Sequence, residues 1–168
     1  AAAKAIRFVK DEQEADGSWY GRWCVNYIYG TWQALRGLAA IGENMNQPYA
    51  RRAASWLKSV QLPSGGWGET CETYSDPSLK GKGPATPTQT AWAIMSLMAV
   101  GDYGPELKRG VEHLLSTQRP DGTWDETEFT GTGFPKVYYL EYTMYRNNFP
   151  LQALGIYRKA LAQGLARA

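Results

Sequence analysis

Gln61-Leu-Pro-Ser-Gly-Gly-Trp67 has two further counterparts in this chain, and that recurrence decides the fold. The first is Gln13-Glu-Ala-Asp-Gly-Ser-Trp19 and the third is Gln118-Arg-Pro-Asp-Gly-Thr-Trp124. In each, a helix-like run ends on Gln, a turn rich in Pro, Asp, Ser and Gly follows, and Gly-x-Trp closes the unit. The Gln-to-Gln spacings are 48 and 57 residues, and self-similarity at a period of about 50 residues marks a repeat architecture. The longer spacing is absorbed by Glu69–Ala85, which contains Asp-Pro, Lys-Gly-Lys-Gly and Pro-Ala and reads as a loop.

Apolar periodicity around these turns predicts helices over 2–14, 27–41, 47–60, 87–100, 105–117 and 150–162. With the Tyr-rich run before Pro150 this makes roughly seven helices and no strand pair. The helix over 87–100 is apolar on nearly all sides, which predicts burial between neighbours. Superposing Ile41-Gly42 on Val100-Gly101 brings Leu35 onto Ile94 and Leu38 onto Leu97, so the repeat includes an inner helix as well as the turn. The expected fold is all-α: helical hairpins of the α/α toroid type, one domain over 1–168 built from three repeats.

Composition supports a folded soluble protein, with 43% apolar and 20% charged residues. The 13% aromatic content is high, and rings either fill the gaps between hairpins or line a cavity. A net charge of +2, with no basic run interleaved with aromatics, argues against a nucleic-acid partner. Cys24 and Cys71 lack CxxC spacing and read as reduced, partly buried thiols, with a single disulfide as the unsupported alternative. No apolar run is long enough to cross a membrane.

The Gln…Gly-x-Trp turns resemble the QW motif of the triterpene cyclases, the squalene–hopene and oxidosqualene cyclases. So do Asp16-Gly-Ser-Trp-Tyr-Gly-Arg-Trp23, Asn26-Tyr-Ile-Tyr-Gly-Thr31, Gly65-Gly-Trp-Gly-Glu69, Thr86-Pro-Thr-Gln-Thr-Ala-Trp92 and Gly131-Thr-Gly-Phe-Pro135 through Tyr145. Nearly the whole chain is covered, in order, by what looks like the C-terminal part of a squalene–hopene cyclase. The resemblance implies half of an α6/α6 barrel around an aromatic-lined cavity. It gives Gln13, Trp19, Gln61, Trp67, Gln118 and Trp124 a structural role, in which the Gln amide bonds unpaired backbone groups while lying against the indole.

The implied chemistry is proton-initiated cyclisation of squalene to hopene, which needs a strong acid and a dry cavity whose rings stabilise a moving carbocation. By resemblance the cavity aromatics are Trp23, Tyr29, Phe134, Tyr138, Tyr142 and Tyr145, the last four spaced as one helical face. The family commonly has Phe where this chain has Tyr138. Glu69, Cys71 and Tyr74, after the second turn, are expected neighbours of the acid site. The acid itself belongs to an Asp-x-Asp-Asp motif, and Asp11, Asp16, Asp76, Asp102, Asp121 and Asp125 form no such motif.

The chain is therefore expected to be a fragment or half of a class II cyclase with no catalytic acid of its own and no activity alone. No metal site or cofactor is implied, His113 beside Glu112 reads as an ordinary helix residue, and Arg22 as an ion-pair partner. Expected partners are a squalene-like polyprenyl hydrocarbon and either a second copy or a complementary barrel half. The alternative is a self-associating helical scaffold or hydrophobic-ligand binding module. The expected place is the cytoplasm or the cytoplasmic face of a membrane.

Overall fold

The computed structural model describes residues 2–166; residues 1, 167 and 168, at the ends of the expected 1–168 unit, lie outside the described residues. Three outer helices, α1 (Ala2–Asp11), α3 (Pro48–Ser59) and α5 (Pro105–Thr117), alternate with three inner ones, α2 (Tyr27–Ala40), α4 (Pro87–Ala99) and α6 (Tyr145–Ala162). A hairpin, β1 (Gly131–Phe134) and β2 (Tyr138–Leu140), lies between α5 and α6. The long loop after Trp67 holds two short 3-10 turns, Cys71–Tyr74 and Pro77–Leu79.

The layers follow from the pattern of apolar residues. On α5, Leu107, Gly110, Val111 and Leu114 are buried along one stripe, while the other face is solvated. On α4 every residue from Pro87 to Met98 is buried, because α2, α3, α5 and α6 all pack on it. Proline opens α3, α4 and α5, where its missing N–H costs nothing. Gly42 and Gly101, at φ 80° and 70°, take the left-handed conformation just past α2 and α4, so the chain can turn back outward.

Each Gln-to-Trp turn is a set of hydrogen bonds repeated at equivalent atoms. The indole Nε1 of Trp19, Trp67 and Trp124 donates to the carbonyl ten residues earlier, at Val9, Leu57 and Leu114 (2.6, 2.7 and 2.8 Å). The backbone N–H of the same tryptophans donates to the first turns of the inner helices, at Thr31 Oγ1, Thr90 Oγ1 and Asn147 Oδ1 (3.1, 3.0 and 3.1 Å). The Gln side chains then reach the next outer helix. Gln13 Nε2 donates to the carbonyls of Gly17 (2.8 Å) and Tyr49 (2.9 Å), and Gln61 Nε2 to those of Gly65 (2.7 Å) and Glu106 (2.8 Å). Their Oε1 atoms accept from Arg52 and Arg109. Gln118 makes the local bond alone, to the carbonyl of Gly122 at 2.9 Å.

Two expectations are corrected. Phe134, Tyr138, Tyr142 and Tyr145 do not share a helical face. Residues 131–140 form an antiparallel pair with Gly131 opposite Leu140 and Phe134 opposite Tyr138, and six α-helices rather than seven are present among the described residues. Gly131, Gly133 and Pro135 disfavour a helix there, and Val137-Tyr-Tyr-Leu140 suits an extended chain. In addition, α6 starts at Tyr145, five residues before Pro150, which sits inside its second turn.

The inter-repeat bonds make unequal contributions at the three turns. Gln61→Ala removes two donated bonds and one accepted from a guanidinium, and is expected to cost about 1–3 kcal/mol. Gln118→Ala removes one exposed local bond and is expected to cost less than about 0.5 kcal/mol. Urea unfolding midpoints of the two variants check the ranking.

Candidate functional site

The candidate site is built where the loop before α2 meets the hairpin. Val25 N–H donates to the Thr130 carbonyl (2.9 Å) and Thr132 N–H to the Trp23 carbonyl (3.1 Å), so residues 23–25 join β1 through a single antiparallel bridge from Cys24 to Gly131. Glycine on β1 lets rings lie flat on the backbone. A Cβ at Gly131 would strike the Tyr142 ring, and one at Gly133 the Tyr138 ring. Phe134 meets Tyr138 edge to face at 6.0 Å, and Tyr142 meets Tyr145 at 4.6 Å.

From Tyr145 the rings continue inward. Tyr145 contacts Phe149 (4.8 Å) and Trp92 (6.3 Å), and Trp92 contacts Tyr29 (5.1 Å), Phe149 (5.4 Å) and Trp32 (5.6 Å, stacked). The structure thus brings Tyr29, Tyr142 and Tyr145 together, while Phe134 and Tyr138 form a separate pair on the hairpin and Trp23 meets the Arg22 guanidinium. Trp23 is 52% exposed and Phe134 51%, and the Arg22 guanidinium lies over the Trp23 ring at 5.1 Å, so that face already accepts a cation.

The inner part of the wall, around Tyr29, Cys24 and Tyr145, carries no anion. Burial pushes the Tyr145 phenol up to about 12 and the Cys24 thiol up to about 11, and raises Tyr29 despite the bond from Gln33 Nε2 to its hydroxyl (2.9 Å). No phenolate or thiolate forms here at neutral pH, so the ring faces carry no anion that would trap an electrophile.

Glu69, Cys71 and Tyr74 are placed behind the wall. Glu69 is buried, and its Oε2 accepts from the backbone N–H groups of Ile28 (3.0 Å) and Asn26 (3.3 Å) at the start of α2. Tyr74 Oη lies 2.9 and 2.8 Å from the carbonyls of Gly21 and Cys24, pinning the loop that carries Trp23. Cys71 is half-buried; its carbonyl accepts from Tyr139 Oη (3.3 Å), and its thiol, which burial pushes up to about 11, faces the Phe129 carbonyl (3.6 Å). Among the described residues no group of three or more His, Cys, Asp or Glu is placed to hold a metal ion. His113 meets the Ser64 carbonyl through Nδ1 at 3.1 Å.

Two functional side chains escaped the sequence reading. Glu126 is buried and accepts from Thr88 N–H (3.0 Å) and Thr88 Oγ1 (2.9 Å) at the start of α4, as Glu69 does at α2. Their common offset, two residues after Trp67 and Trp124, was the available signal. Gln89 receives the Glu69 N–H (3.0 Å) and donates to the carbonyls of Val25 (3.1 Å) and Glu69 (2.9 Å), locking α4 to the segment 23–25.

The squalene–hopene cyclase C-terminal domain matches residues 1–159. The chain belongs to this family. It is similar to the squalene–hopene cyclase of Alicyclobacillus acidocaldarius (52% identity over 159 residues, 94% of this chain and 25% of that one). It is also similar to the dammaradiene synthase of Dryopteris crassirhizoma (45% over 174 residues, 95% and 25%). The chain spans about a quarter of the length of these curated relatives. The type II terpene cyclase MstE from Scytonema shares the fold, with TM-score 0.68 and 18% identity over 96% of this chain and 51% of that one. A variant of that protein has been solved with geranylgeranyl dihydroxybenzoate, its substrate (TM-score 0.65, 18% identity, 90% of this chain and 48% of that one). The sequence-level resemblance and the α/α fold class are thereby established. Among the described residues no helix is long and apolar enough to cross a membrane.

Two predictions follow from the geometry of this squalene–hopene cyclase domain. Gly133→Ala is expected to displace the Tyr138 ring and cost about 1–3 kcal/mol, read from urea unfolding and the near-UV aromatic circular dichroism. The second concerns pH. Burial raises Glu69, against its backbone bonds, and Glu126, against its bonds to Thr88 and Thr130. The folded chain therefore binds more protons than the unfolded one above pH 4.5, the ordinary glutamate value, and these groups' contribution falls as pH rises through that window. Glu69→Gln is expected to flatten the decline, measured as the unfolding midpoint across pH 4.5 to 8; an unchanged slope would contradict it.

Proposed function

We propose that this chain forms the aromatic wall of a class II triterpene cyclase cavity, of the kind that turns squalene into hopene, and does not start the reaction alone. The observation that carries this reading is the ring series from Tyr142 through Tyr145, Phe149 and Trp92 to Tyr29, with Phe134 and Tyr138 paired on the adjoining hairpin. A carbocation migrating along a polyprenyl chain is stabilised by such faces, each contact contributing on the order of 1–2 kcal/mol when desolvated. Neutral phenols leave the cation uncaptured, and the packed rings of Trp32, Trp92 and Phe149 keep water from its inner side.

The initiating acid would come from a complementary half bearing Asp-x-Asp-Asp. Of the expected acid-site neighbours, Glu69 and Tyr74 are buried and act as positioning groups, since Glu69 fixes the start of α2 and so Tyr29, and Tyr74 fixes the loop of Trp23, while half-buried Cys71 would lie nearest to that acid. The chain is in this reading a fragment or half, acting in the cytoplasm or at the cytoplasmic face of a membrane. A second reading, a self-associating module that binds hydrophobic ligands, is favoured by Val137, Leu151 and Met144, exposed at 75, 69 and 66% near the same wall.

The test is a chimera in which residues 1–159 replace the matched quarter of the Alicyclobacillus cyclase. It is expected to form hopene from squalene, and Tyr145→Ala in it to lower kcat roughly ten-fold. The isolated chain is expected to form none. A folded chimera without activity would overturn the assignment, and hopene from the isolated chain would overturn its dependence on an outside acid.

A further inference from the structure

We propose that the pocket between the C-terminal halves of α2, α4 and α6 binds a single-chain carboxylate, with its head on Arg36 and Tyr103 and its alkyl chain along Met95 and Met98. The pocket is distinct from the ring wall, since Arg36 lies seven residues, about 10 Å, further along α2 than Tyr29. It adds a ligand site that the cyclase chemistry does not use.

The walls come from three consecutive inner helices. α2 contributes Arg36 and Ala40, α4 contributes Met95 and Met98, α6 contributes Ile156, and Tyr103 follows from the turn after α4. The volume is about 360 Å³, within the range of small-molecule sites. Alanine on α2 leaves the width open. The two methionines are unbranched and polarizable, so they can follow the shape of a flexible chain.

The polar groups of the pocket are donors. A guanidinium offers five N–H groups and no acceptor. Among the described residues the only hydrogen-bond partner of Arg36 is a thioether, Met95 Sδ at 3.4 Å, and no carboxylate pairs with it. Tyr103 is the second donor: burial alone raises its phenol, which therefore keeps its proton at neutral pH. The adjoining carboxylate, Asp102, is already taken by Lys58 Nζ (2.9 Å) and the Gly104 N–H (3.1 Å).

Two donors at the edge of an apolar pocket call for an anionic head on an apolar chain. A charge-assisted bond to a carboxylate is about twice as strong as one to a neutral hydroxyl, and an ammonium would meet Arg36 as a like charge. The C-terminal ends of α2 and α4 disfavour an anion, but their last carbonyls are closed. Gly42 and Glu43 N–H bond the Ala39 and Leu38 carbonyls (3.1 Å each), and Gly101 and Asp102 N–H those of Met98 and Leu97 (3.0 and 2.9 Å). Arg36 stands one turn before the end of α2, so the head meets the guanidinium rather than the carbonyls.

The test is calorimetric titration of the chain at neutral pH with decanoate, decanol and decyltrimethylammonium, each below its aggregation threshold. Decanoate is expected to bind at one site, about ten-fold or more tighter than decanol, and decyltrimethylammonium not to bind. Arg36→Gln should weaken decanoate about ten-fold and leave decanol unchanged. Ala40→Phe, at an exposed position whose side chain leans back over Arg36, should abolish binding of both. The comparison of decanoate with decanol on the parent chain decides the need for charge without any variant. Absent binding, equal affinity for decanoate and decanol, decanoate binding that survives Arg36→Gln, or binding that Ala40→Phe leaves intact overturns the proposal. No squalene enters this test, so its outcome is independent of the cyclase reading.

Discussion

The structure depends on one buried contact made three times: an indole N–H bonded to the carbonyl ten residues before it. Removing the whole ring from a core position costs about 3–5 kcal/mol, while the N–H bond is worth about 1 kcal/mol, so burial supplies the energy and the bond supplies the direction. Because Trp67 is held to the Leu57 carbonyl, its ring is fixed against α5, where Gly110 makes room for it: a Cβ there would sit 2.6 Å from the indole. A glycine inside a helix costs about 0.5–1 kcal/mol in backbone freedom, which the packing of a fully buried ring offsets.

From that contact the chain is tied both forward and back. The glutamine side chains reach forward to the next outer helix, and Glu69 and Glu126 reach back to the starts of α2 and α4, where unpaired N–H groups and the helix dipole favour a carboxylate. One turn therefore fixes an outer helix, the following outer helix and the preceding inner helix. The last of these sets the aromatic rings. α2 carries Tyr29 in its first turn, and α4 carries Gln89 and Trp92 in its first two, so buried hydrogen bonds at the helix starts and the packing of the rings together set the ring positions.

The repeat was legible because its turn residues are chemically demanding and recur at the same offsets. Helix spans followed almost as well: the expected 105–117 coincides with α5, and the burial of α4 on all sides was readable from its composition. The hairpin was not legible. Phe134, Tyr138, Tyr142 and Tyr145 happen to be spaced as a helical face, and that period outweighed Gly131, Gly133 and Pro135, whose job is to seat rings on a strand. Glu126 was missed for a different reason. Its partners belong to Thr88, 38 residues earlier, and its only signal was the offset from Trp124 that Glu69 shares with respect to Trp67.

Native-state hydrogen exchange with Trp67 replaced by 3-benzothienylalanine, which keeps the bicyclic ring and deletes the N–H, tests the central claim most directly. If the indole bond organises neighbouring repeats, amides at the end of α3 and at the start of α5 should both exchange faster than in the parent chain. Exchange that is unchanged, or faster at the end of α3 alone, would show that the tryptophan serves its own repeat and that the joining of repeats has another source.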